Sequence, residues 1–86
     1  MKHAGPEALD RLEPLLRDLR TRAGLKEKSR GTFYRGGRAF LHFHEHGEEF
    51  YADARLRDDF ERFPATTTAD HARLLGLIDR ALKADT

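Results

Sequence analysis

Between Arg38 and Leu56 the chain alternates apolar and polar side chains through two consecutive runs, and a period of two residues selects a β-hairpin. Along Phe40-Leu41-His42-Phe43-His44-Glu45-His46, residues His42, His44 and His46 project to one side and Ala39, Leu41 and Phe43 to the other. A two-residue turn at His46-Gly47 sets Phe43 opposite Phe50, Leu41 opposite Ala52 and Ala39 opposite Ala54. The other face then pairs His44 with Glu49, His42 with Tyr51 and Phe40 with Asp53. A one-residue slip would mix the two sets, so the apolar side is expected to look inward and the imidazoles outward.

An earlier hairpin adds to the same face. Thr32-Phe33-Tyr34-Arg35 has strand-type residues, and Gly36-Gly37 turns the chain into Arg38. A two-residue turn there places Tyr34 opposite Ala39 and Phe33 opposite Phe40, on the histidine side. That face would be too aromatic for plain solvent contact, which points to a cover: a connector or a second copy of the chain.

Helices flank the hairpins. Leu9, Leu12, Leu16 and Leu19 recur at helical spacing, with Ala8 and Leu15 widening the stripe, so a helix is expected from Pro6 to Arg22. Pro14 removes one helical hydrogen bond, yet the stripe stays in phase across it, favouring one kinked helix over a break. Gly24 suits a left-handed stop, and Leu25 to Gly31 reads as a basic connector. Asp58-Asp59 reads as a turn before a short edge strand, Phe60 to Ala65, limited by Pro64. Thr66-Thr67-Thr68-Ala69-Asp70 is a threonine-capped helix start, followed by His71, Leu74, Leu75, Ile78, Ala81 and Leu82 at helical spacing to about Lys83. Gly76 is expected at a close approach to the sheet. The order is helix, four strands, helix. It predicts an α+β fold in which a four-stranded antiparallel sheet carries both helices on its apolar face, a two-layer sandwich formed by residues 1–86 as a single domain.

Composition narrows the chemistry. The absence of cysteine removes disulfides, thiol catalysis and thiolate metal sites. No run approaches the roughly 18 apolar residues needed to cross a bilayer, and no apolar signal core follows the amino terminus. A soluble cytoplasmic protein is therefore expected, with no membrane partner and no implied cofactor. The net charge of +1 hides an asymmetry. Arg20, Arg22, Lys26, Lys28, Arg30, Arg35 and Arg38 face one acid, Glu27, within their segment, whereas acids predominate after Ala39.

Three binding chemistries follow. Phe40, His42, His44, Tyr51 and Asp53 make a mixed aromatic and histidine face of the kind found in modest dimer interfaces, and self-association through it is the leading expectation. Lys26, Lys28, Arg30, Arg35 and Arg38 flank Phe33 and Tyr34, a pattern suited to nucleic acid or phosphate. His42 and His44, at i and i+2 on a strand, can share a metal ion such as zinc, with Asp53 or Glu49 adding oxygen, while His46 in the turn splays away. A histidine near Asp53 or Glu49 also resembles a general base with its orienting carboxylate. No nucleophile accompanies it, since the one serine, Ser29, lies in the basic connector, so binding is expected and catalysis is not.

Gly24-Leu25-Lys26-Glu27, followed by Gly31-Thr32-Phe33-Tyr34-Arg35-Gly36-Gly37-Arg38-Ala39-Phe40, resembles the YjbR/MmcQ-like proteins. In that family a helix and a "G-hydrophobic-x-E" element precede a strand, a Gly-Lys or Gly-Arg turn and a strand starting near phenylalanine. Phe60-Glu61-Arg62-Phe63-Pro64 and its threonine-capped helix also resemble short, uncharacterised bacterial proteins with a comparable hairpin. The resemblance covers most of the chain in layout and Gly24 to Phe40 in motif, without the family's longer middle segment. It implies an α/β sandwich and a DNA-binding or regulatory role, with no catalytic residues to transfer.

Overall fold

The leucine stripe forms the expected first helix. In the computed structural model, which describes residues 1–84, a two-residue strand β1 (Lys2–His3) leads into α1 (Pro6–Arg20), which continues through Pro14. Pro6 starts the helix, and Leu12, Leu15, Leu16 and Leu19 are buried along one face. Each such leucine contributes about 1.5–3 kcal/mol by leaving water. Pro14 lies on the exposed side, away from the buried leucines.

Five further strands and a second helix follow: β2 (Lys26–Ser29), β3 (Thr32–Arg35), β4 (Arg38–His46), β5 (Glu49–Ala54), β6 (Glu61–Pro64) and α2 (Thr68–Ala84). The sheet order is β2-β3-β4-β5-β6, every pairing is antiparallel, and β1 pairs with β4. Because β5 occupies one edge of β4, β1 takes the other, beyond the point where β3 ends. The backbone N–H of Ala4 extends that pairing to the Phe43 carbonyl at 3.0 Å.

One hydrophobic cluster joins both helices to the sheet, combining the α1 leucines with Leu41, Phe43, Ala52 and Ala54 and with Leu74 and Ile78 of α2. The start of α2 carries a reciprocal cap. The Asp70 N–H donates to Thr67 Oγ1 at 3.0 Å, while Asp70 Oδ2 accepts from the N–H groups of Thr66 and Thr67 at 3.1 and 3.0 Å. Arg22, just past α1, donates twice to Asp79 of α2, at 3.0 and 3.1 Å. No helix among the described residues is long and apolar enough to cross a membrane.

Several sequence expectations need correction. The sheet has six strands, not four. Lys26–Ser29 is a strand and not a connector: Arg30-Gly31 turns it back on β3, and Glu27 and Arg30 tie it to α1 through ion pairs with Arg20, Asp10 and Glu13. Gly31 has φ +81°, and a side chain there would meet Leu9 Cδ2 at 2.6 Å, so glycine permits both the turn and its packing on α1. The second hairpin turns at Gly47-Glu48, one residue later than expected. Phe43 therefore faces Ala52, His42 faces Asp53 and His44 faces Tyr51. The slide is two residues along the partner strand, so every side chain keeps its face. Between β3 and β4 a bulge sets Phe33 opposite Leu41, and both Phe33 and Phe40 enter the core, 1% and 3% exposed. Phe40 is thus not part of the histidine face. Gly76 is exposed with open space beside it, so it marks no close approach.

Candidate metal centre

Strand alternation puts His42 and His44 on the face of β4 opposite the core, and the antiparallel pairing of β1 sets His3 directly across from His44. On the other side of β4, Asp53 lies opposite His42 and Arg62 of β6 lies opposite Asp53. Four strands therefore deliver side chains to one patch. The potential ligand atoms of His3, His42 and His44 all fall within 4.8 Å of one another.

The contacts within the patch are close. His44 Nε2 lies 3.1 Å from His42 Nδ1 and 3.0 Å from Asp53 Oδ2. The His3 ring stacks on His44 with centroids 4.6 Å apart and is tilted against His42 at 5.8 Å. Arg62 grips Asp53 with two bonds, Nε to Oδ1 at 2.8 Å and Nη2 to Oδ2 at 2.9 Å. The edge of the site is closed by Phe60, whose ring meets His42 edge-on at 5.1 Å. His44 and Asp53 side chains are only 12% and 13% exposed.

Electrostatics hold Asp53 and His42 in ligand-ready forms. The Arg62 hydrogen bond keeps the Asp53 carboxyl below its ordinary pKa against a desolvation penalty, so it is a carboxylate at neutral pH. Burial pushes the His42 pKa below the ordinary imidazole value, outweighing the attraction of Asp53, so at neutral pH its ring offers a lone pair and no charge. The Nδ1 atom of His44 is buried without a hydrogen-bond partner among the described residues.

The patch gathers both expected metal candidates and most of the expected interface set, and none of the basic set. His42, His44, Tyr51 and Asp53 do share the face, and Phe40 does not. The basic set divides. Arg30 is engaged by Asp10 and Glu13, Lys28 sits 4.2 Å over the Tyr34 ring, and Lys26 is exposed on β2. Arg35 and Arg38 instead line a cleft with Arg55 and Arg57. His3 and Arg62 were invisible to periodicity: one lies in a strand of two residues and the other in a short edge strand. No family model, curated protein or solved structure matches the chain.

Proposed function

We propose that this domain binds a late first-row divalent ion of the zinc class through His3, His42 and His44, with the Asp53 carboxylate beside them. The carrying observation is the convergence of three imidazoles from two strands, their ligand atoms within 4.8 Å of one another. Two ligands about 2.0–2.1 Å from a tetrahedral ion stand about 3.3–3.4 Å apart. The 3.1 Å and 3.0 Å spacings around His44 Nε2 need to widen by only a few tenths of an ångström to accept such an ion. Nitrogen and carboxylate donors suit zinc, nickel or cobalt better than magnesium or calcium, which prefer all-oxygen sets.

The same geometry limits affinity. An ion on His44 Nε2 moves the ring proton to Nδ1, which has no acceptor nearby. Supporting acceptors of this kind are worth about 10–100-fold in affinity, so binding weaker than in fully supported zinc sites is expected. The reading takes both helices as one layer behind the sheet, leaving the histidine face open to the ion. It also ranks self-association through this face lower, because Phe33 and Phe40 lie in the core and Phe60 is the exposed large apolar side chain that remains there. Binding, not turnover, remains the role assigned.

Zinc titration followed calorimetrically and through imidazole NMR resonances tests the proposal. One ion per chain is expected, with His3, His42 and His44 all shifting. Unmoved imidazole signals at about 1 mM zinc, a free energy of about −4 kcal/mol, would overturn it.

A further inference from the structure

A second concavity lies beyond Phe60, the residue that closes the edge of the histidine patch. A cleft of about 490 Å³ opens between the β3–β4 turn, the segment after β5 and the carboxyl-terminal end of α2. Arg35, Arg38, Arg55 and Arg57 line it, with Asp58 as the one acidic residue in its wall among the described residues. We infer that this cleft binds a small phosphorylated molecule carrying at least two phosphate groups.

The volume falls in the range of small-ligand pockets, about 300–1,000 Å³. Arg38, Arg55 and Arg57 give the concavity a positive wall, which suits an anion with several oxygens. Arginine forks match phosphate oxygens two at a time, which a lysine cluster would not do. Arg38 forms no ion pair among the described residues, and Arg57 has only a long contact with Glu61, 3.8 Å, on an exposed surface. Arg55 stacks over the Phe60 ring at 4.5 Å, and its Nε is buried without a hydrogen-bond partner among the described residues. A buried donor in that state is an unmet demand for an acceptor. Arg35 is anchored to the Ala81 carbonyl at 3.3 Å and so shapes the wall. Ala39 and Leu56 supply an apolar flank for the part of the ligand that carries no charge.

A compact ligand fits better than a nucleic-acid strand. Lys26 and Lys28 line a different depression beside Tyr34 and Gly37, so the two lysines take no part in the cleft wall.

The test uses inorganic phosphate, pyrophosphate and ADP as probes, with NMR shifts and calorimetry at low ionic strength. Pyrophosphate and ADP are expected to bind at one per chain, at least about tenfold tighter than phosphate. Arg38→Gln and Arg57→Gln, both at exposed positions, should each weaken pyrophosphate at least about fivefold, while Lys26→Gln and Lys28→Gln leave it unchanged. The inference fails if no probe binds at about 10 mM. It also fails if the lysine variants lose as much as the arginine variants, or if an oligonucleotide binds more tightly than pyrophosphate through both sets.

Discussion

Replacing His3 with alanine separates the folded arrangement from the one the sequence suggests. Along β4 the histidines at 42, 44 and 46 make a row, yet the ligand atoms that converge belong to His3, His42 and His44, and His46 is exposed at the strand end opposite Glu49. His3 is itself exposed and pairs through a strand of two residues, so His3→Ala should cost little stability. Its stacking on His44 at 4.6 Å bounds that loss at about 1 kcal/mol. Metal affinity is a different matter, since one of three imidazoles disappears. A drop of at least about tenfold, or 1.4 kcal/mol, is expected in zinc calorimetry, with urea unfolding of the metal-free chain as the stability control. His46→Ala should leave zinc affinity within about twofold of the parent. Equal affinities for the parent and His3→Ala, or a larger loss for His46→Ala, would refute the convergence argument.

Other expectations concern the fold and its titration. Arg20 and Arg30 hold the Glu13 carboxyl down at about 2. Its contribution is therefore complete above the ordinary value near 4.5 and fades as pH falls toward 2; a carboxyl NMR titration with a midpoint near 4.5 would contradict this. Burial lowers the His42 pKa, so the folded state loses stability as pH falls below the ordinary 6.5, until the folded-state value is passed. Its ring resonances should show a midpoint under 6.5, and a midpoint above it would reverse the sign. Gly31→Ala should destabilise by about 1–2 kcal/mol from the backbone alone, plus the displacement of Leu9, and a urea midpoint equal to the parent would remove the argument.

The parts of the fold that obey a period were legible. Leu41, Phe43, Ala52 and Ala54 face inward as their alternation requires, and the two-residue slide of the hairpin left that unchanged because parity, not register, decides the face. Thr67 and Asp70 were legible as a helix start because capping chemistry is local. The bulge at Phe40 was not, since one inserted residue reverses the parity of everything before it and leaves no compositional trace. Lys26–Ser29 hid as a strand because an edge with polar residues on both faces shows no alternation. The candidate centre was half visible: His42 and His44 announce themselves on β4, whereas His3 arrives from 41 positions away from His44 by a backbone pairing that side-chain type does not encode.

The brevity of β1 has a thermodynamic consequence for any ion held there. Two ladder residues with exposed side chains are fastened by few contacts, so this segment belongs to the part of the molecule that detaches most cheaply. Apparent affinity is the intrinsic value scaled by the fraction of time the segment is docked. Occupancy would in turn clasp the segment down, slowing amide exchange at Ala4 and along the free edge of β4 while the remainder of the sheet keeps its metal-free rates.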